Sequence, residues 1–283
     1  MLRRTLHIIT CCLMLCSVAC STGRTSGGES TLRVISYNVR YTGERETNGE
    51  NHWDWRRAAS INMVREERPA VMGVQEALAA QLQFLDENLP EYGYVGVGRD
   101  DGKSAGEHMA IFNLKDAVEL ENWGTFWRSQ TPDEVTMGWD AVCYRTCTWA
   151  LMHDKATGKQ FAMLNTHLDH RGEEAREQSI VLIVNKIKEL VPEGVPILLT
   201  GDFNSTPDSE IYAPLKAVAA DAREVAAQSD RRGPFNGWGK ASSVIDHIFV
   251  RGVEVDRFKV LCDKNYGAPY ISDHYPVVAD VRF

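Results

Sequence analysis

Polar residues able to do chemistry recur at the ends of apolar runs in this chain. Asn38 follows "LRVISY", Glu76 follows "AVMGVQ", His167 follows "QFAMLNT", and "PILLTG" runs into Asp202 and Asn204. Asp246 interrupts "SVIDHIFV", and Asp273 with His274 stands just before the last run, "YPVVADVRF". Any one such residue is ordinarily a cap or turn residue, so the recurrence needs an explanation. Converged in one cleft, these carboxylate and amide oxygens suit a hard divalent cation, Mg2+ or Mn2+, better than zinc, which prefers histidine and cysteine. The cation polarises a phosphoryl oxygen, an aspartate orients or deprotonates the attacking water, and a histidine paired with a carboxylate compensates charge or moves a proton. This is phosphoester hydrolysis, although spacing alone leaves a structural polar network open.

Eleven strand-like runs must position these groups. Helical periodicity is carried by Leu78, Leu82, Leu85 and Leu89, by Ile180, Ile183, Val184 and Ile187, and more weakly by Ala58, Ile61 and Val64. The runs from "YGYVGVG" to "QFAMLNT" follow one another without a long helix between them, which argues against a (β/α) barrel. Two packed sheets with helices outside, an α/β architecture, is the expectation. The run "AVCYRTCTWALM" is read as one strand, with Cys143 and Cys147 on one face about 13 Å apart, too far to bridge.

Ahead of this domain, Arg3 and Arg4 precede an apolar stretch from Leu6 to Val18, too short to span a bilayer and of the kind seen in secretory signals. Residues 1–19 are expected to be that signal. The segment "CSVAC" resembles a lipobox, so Cys20 is the expected lipid anchor, the alternative being simple secretion. The polar "STGRTSGGES" makes 20–30 a flexible tether, and one domain is expected over 31–283. Net charge is -8, and two of the basic residues lie in the leader, which argues against a stable complex with duplex nucleic acid.

The motifs "SYNVR", "GVQEA", "NTHLDH", "TGDFNSTPDS", "IDHIFV" and "ISDHYPV", in this order, resemble the endonuclease/exonuclease/phosphatase superfamily over nearly all of 32–283. The resemblance implies a four-layer α/β/β/α sandwich of two mixed sheets and metal-dependent cleavage of a phosphate ester. It implies Glu76 as principal metal ligand with Asn38 and Asp273 beside it, and Asp202 as the residue that orients the water. Asn204 would hold phosphate or nucleophile, Asp246 would pair with His274, and His167 with Glu107. Arg145 aligns with a phosphate-facing arginine, and Asp169 is a candidate substrate contact. His108, Asn113 and His247 replace aromatic residues frequent in a bacterial secreted group of the superfamily, which bears on substrate preference. Where deoxyribonuclease I carries an arginine soon after the metal-binding glutamate, this chain has Ala77, Leu78, Ala79 and Ala80.

The function expected is hydrolysis of a phosphodiester in the periplasm or at the outer membrane. Alternatives are a nuclease on short or single-stranded nucleic acid, a sphingomyelinase or phospholipase C-like headgroup hydrolase, and a surface binding protein that keeps the fold without catalysis. Trp127 and Trp139 bracket "RSQTPDEVTMG" and are candidates for the cleft mouth or for core packing.

Overall fold

The computed structural model describes residues 31–43 and 49–283; the expected signal, Cys20 and the tether lie outside them. In chain order the main elements are β1 (Thr31–Asn38), α1 (Trp53–Glu67), β2 (Val71–Ala77), α2 (Ala79–Asn88), β3 (Tyr92–Val95), β4 (His108–Leu114), β5 (Val118–Trp127), β6 (Thr146–Asp154) and β7 (Gln160–His167). There follow α3 (Glu173–Leu190), β8 (Ile197–Asp202), α4 (Ala213–Lys216), β9 (Ala220–Asp221), α5 (Ala222–Val225), β10 (Gln228–Ser229), β11 (Asp246–Arg251), β12 (Glu254–Val260) and β13 (Val277–Arg282). One sheet has the order β10-β12-β13-β1-β2-β4-β3, the other β5-β6-β7-β8-β11-β9, and each mixes parallel and antiparallel pairs.

Period-two alternation explains the layering. On β1, Ile35 and Tyr37 pack toward α1 and α2, while Val34 faces the second sheet. On β7 and β8, Leu164 and Leu199 pack under Ile180, Ile183 and Ile187 of α3, while Met163 and Leu198 face the first sheet. Three apolar seams thus separate four layers, helix, sheet, sheet and helix, as expected from the sequence.

Along the inner face the side chains change character toward one end. Two residues beyond Val34, Met163 and Leu198 come Ser36, Asn165 and Thr200, and two further come Asn38, His167 and Asp202. The middle tier is a polar bridge between the sheets. Gln75 Nε2 donates to Ser36 Oγ at 3.1 Å and to Asn165 Oδ1 at 2.6 Å, and Thr200 Oγ1 donates to the same oxygen at 3.1 Å. Asn165 Nδ2 donates to the carbonyls of Val74 and Ala110 across the interface, at 2.8 and 2.9 Å. Gly73 leaves room for this tier, since a Cβ there would stand 2.0 Å from Thr200 Oγ1.

Several details differ from the sequence reading. The strand expected from Ala141 begins only at Thr146, because Cys143 and Arg145 turn instead toward Asp169. Cys143 and Cys147 therefore do not share a strand face. On α1 the buried position is Ala59, with Ala58 exposed, since Arg56 and Ser60 take buried polar places on the same helix. Asp246 opens β11 rather than interrupting a strand.

Candidate active site

The last inward residues of neighbouring strands meet at one end of the interface between the sheets. His167 is the cross-strand partner of Asp202 in the parallel β7–β8 pair, and Asp246 its partner in the antiparallel β8–β11 pair. From the other sheet Asn38 Nδ2 reaches Asp202 Oδ2 at 3.0 Å and Glu76 Oε1 at 2.8 Å, tying the two sheets at the site itself. Glu76 gets there through a local irregularity. Gln75 already points inward, so the next residue of a regular strand would point away; the register of β2 against β4 shifts between Val74 and Ala77, and Glu76 takes φ 64°. A bulge of this kind re-aims a side chain.

Asp202 is held on both oxygens. Oδ1 accepts the Asn204 N–H at 3.0 Å, and Oδ2 lies 3.5 Å from His167 Nε2 and 3.6 Å from His274 Nε2. Asn204, at φ 48°, donates its amide to the Leu168 carbonyl at 2.9 Å and lies 3.0 Å from His167 Nε2. His274 Nδ1 sits 2.8 Å from Asp246 Oδ2, and Phe235 packs its ring on the imidazole with centroids 4.9 Å apart. Arg40 Nη1 is 3.8 Å from Glu76 and its Nε 3.7 Å from Asp273. Apart from Asp246, which stands behind His274, these groups line a cleft of about 660 Å³, together with Glu107, Arg99, Arg145 and His170.

Burial and crowding of like charges set the protonation of the site. Burial pushes Asp202 up to about 7, with Asp246 and Glu76 adding to it and His274 opposing. Burial and then the charge of Glu76 take Glu107 to about 7 as well. For His274 burial favours the neutral ring, but Asp246 and Asp202 outweigh it and hold it protonated, up to about 10. His167 goes the opposite way, well below its ordinary value, through burial and the nearby Arg145, Arg99 and Arg128. Glu76 is lowered: burial alone would raise it, but Arg40, the Asn38 amide, His274 and the Tyr41 N–H prevail.

Eight of the eleven residues singled out in the sequence line the cleft: Glu76, Glu107, Arg145, His167, Asp202, Asn204, Asp273 and His274. The other three stand behind them. Asn38 links Glu76 to Asp202, Asp246 backs His274, and Asp169, 1% exposed, accepts from Arg145 Nε at 3.2 Å. Glu107 is 3.9 Å from His167 Nδ1 but 2.6 Å from Arg99 Nη1, so its close partner is the arginine. His170, which with Asp169 and Arg171 follows His167 and was read as a substrate contact or the opening of the next helix, lines the cleft. Arg40, Arg99 and Phe235 were missed by the sequence reading, and the nearness of Arg40 to Asn38 in the quoted "SYNVR" was the available signal. Trp127 is buried and donates its indole N–H to the Arg99 carbonyl at 2.8 Å, supporting the cleft wall rather than lining it, as Trp139 also does not line it. His108, Asn113 and His247 lie outside the cleft lining, bonded to Ala77, Val118 and Asp221 respectively.

The donor chemistry fits a hard cation. Glu76 and Asp273 stand close enough to share one positive charge, as both do with Arg40. Ligand atoms of Glu76, His167 and Asp202 all lie within 4.8 Å of one another, as do those of Asp202, Asp246 and His274.

Sandwich and site together define a phosphoesterase-type hydrolase scaffold. Residues 35–274 match the Endonuclease/Exonuclease/phosphatase family, and the chain belongs to it. A family member from Bacteroides vulgatus is 40% identical, with a TM-score of 0.84 over 89% of this chain and 98% of that one. The mannosyl-6-phosphatase Bt3783 of Bacteroides thetaiotaomicron VPI-5482 is 38% identical, with a TM-score of 0.84 over 89% of this chain and all of that one. Uncharacterized protein L388 of Acanthamoeba polyphaga mimivirus is 26% identical over 268 residues, 87% of this chain and 98% of that protein.

Proposed function

We propose that this protein hydrolyses a phosphate monoester of a small hydroxylated alcohol, a sugar phosphate by class, with Mg2+ or Mn2+ as cofactor. The observation that carries this reading is that Arg40, Arg99 and Arg145 border a cleft of about 660 Å³ beside Glu76, Glu107, Asp202 and Asp273, whose charge a divalent cation and protonated His274 would largely offset. A monoester phosphate carries close to two negative charges near neutral pH and a diester one, so three guanidinium groups in a small cleft match the monoester better. For this reason the proposal departs from the diester expected from the sequence. The similarity to a mannosyl-6-phosphatase over nearly the whole chain supports the same class.

In this mechanism Glu76 and Asp273 would hold the cation, with Asn38 fixing Glu76 from behind, and the cation would supply polarisation of a phosphoryl oxygen. Asp202, fixed by Asn204 and Asn38, orients the attacking water and takes its proton. His274, kept protonated by Asp246, supplies positive charge beside Asp202, where negative charge develops on the phosphoryl group. Arg145 and Asn204 hold the phosphate oxygens as the bond from water to phosphorus forms and the ester P–O bond breaks, and the proton taken by Asp202 returns through solvent to the departing alcohol oxygen.

Initial rates with mannose 6-phosphate, bis(4-nitrophenyl) phosphate and an oligonucleotide, before and after EDTA, test the reading. The monoester should be turned over fastest, EDTA should reduce the rate at least roughly a hundredfold, and Mg2+ or Mn2+ should restore it. Indifference to EDTA would sink the metal mechanism, a preference for the diester would sink the monoester, and no hydrolysis at all would favour a binding protein.

A further inference from the structure

One group on the cleft wall has no part in the hydrolytic steps above. His170 is exposed and lines the cleft, directly after the buried Asp169. Asp169 is fixed by its neighbours: Oδ1 accepts the N–H groups of Arg171 and Gly172 at 2.9 and 2.8 Å, and Oδ2 accepts Arg145 Nε at 3.2 Å. Arg145, 4% exposed and held by that carboxylate, places Nη2 2.9 Å from His170 Nδ1. A guanidinium can only donate, so Nδ1 is the acceptor and the ring proton sits on Nε2. Partial burial and then the Arg145 charge hold the imidazole below its ordinary value, which keeps it neutral. Two buried residues therefore fix the tautomer and orientation of a rim histidine, and no described residue takes up its Nε2 proton.

We propose that His170 is a specificity-determining residue that donates its Nε2–H to a hydroxyl oxygen of the alcohol part of the substrate. The inference rests on the sugar-phosphate reading and adds to it a named contact beyond the phosphate. The inner cleft already holds guanidinium groups and a protonated His274 for the anionic part of the ester. A neutral donor at the exposed rim adds no charge for phosphate and matches an uncharged acceptor, and the rim is where the alcohol emerges from the site. A site built to bond a hydroxyl discriminates against an ester that lacks one.

The test compares mannose 6-phosphate with 4-nitrophenyl phosphate, whose alcohol has no further hydroxyl, in the wild type, His170→Ala and His170→Gln. His170→Ala should raise KM for mannose 6-phosphate about tenfold, the size of one lost hydrogen bond, with kcat within about twofold. Its KM for 4-nitrophenyl phosphate should stay within about twofold of the wild type. Glutamine can accept from Arg145 through its carbonyl and donate through its amide, so His170→Gln should recover most of the loss. Thermal unfolding of all three proteins shows whether any change in KM reflects lost fold. Equal losses on both esters, or an unchanged KM for mannose 6-phosphate, overturn the role of His170 and leave the sugar-phosphate reading standing. A wild type that cleaves 4-nitrophenyl phosphate and no hexose phosphate overturns the sugar-phosphate reading, and this inference with it.

Discussion

At Glu76 the backbone adopts φ 64°, a region rarely occupied by residues with a long side chain, and the same turn delivers the carboxylate to the cleft. Around it Asp202, Asp246, Asp273 and Glu107 gather in one buried region, with Arg40 and His274 offsetting part of the repulsion. This arrangement favours function over stability of the metal-free protein. Asp202→Asn removes one of the crowded charges at constant shape and also removes the base. Turnover should fall at least roughly a hundredfold, while the melting temperature of EDTA-treated protein should stay level or rise. A variant that loses activity and melts well below the wild type would show that Asp202 acts mainly as a structural anchor. Most carboxylates, amides and histidines of the site were legible because each stands at or within an apolar run; Glu107 was named only through the family resemblance. Arg40, Arg99 and Phe235 were not, because a cation or aromatic ring in a loop reaches a cleft only through tertiary folding.

The tier of Ser36, Gln75, Asn165 and Thr200 fixes the spacing of β1, β2, β7 and β8 directly beneath the catalytic groups. Its dependence on an absent side chain gives a direct test. Gly73→Ala would drive a Cβ into Thr200 and Asn165, and denaturant unfolding should show a loss of about 1–3 kcal/mol, as overpacking commonly gives. Activity should fall as well, since the strands carrying Glu76 and Asp202 are the ones pushed apart; unchanged stability would mean that the sheets separate freely at this level. At this scale the eleven longer strands and the helix stripes were readable from periodicity. The two-residue strands β9 and β10 were not, because so short a segment carries no alternation. Arg56 was also beyond reach: it is 1% exposed and donates from Nε to the Asn51 carbonyl at 2.9 Å and from Nη1 to the Ile271 carbonyl at 2.9 Å. Nothing in a helical sequence pattern marks a charged residue that will bond to backbone far along the chain.

Away from the cleft, Asp280 of β13 gathers Arg33 of β1, at 2.8 Å, and Arg257 of β12, at 2.6 Å, while Arg33 also reaches Glu67 at the end of α1, at 3.0 Å. Burial alone would raise the Asp280 carboxyl, but the hydrogen bonds and charges of the two arginines hold it below its ordinary value. Its stabilising contribution is thus complete above the unfolded value of about 4 and is lost as pH falls through the lower folded value. Asp280→Asn should destabilise by roughly 1–3 kcal/mol at pH 7, with the gap to the wild type closing in strong acid; a gap independent of pH would overturn the ionic account. Thr31 pairs with Arg282 beside this cluster, at the end of β1 remote from Asn38. The eight residues of β1 put roughly 25 Å of sheet between the cleft and the point where the preceding chain joins the domain. If that chain is fixed to a surface, the domain is held to it from the end opposite the cleft, and the mouth is the end left free. The cleft would then be open to esters arriving from the surroundings.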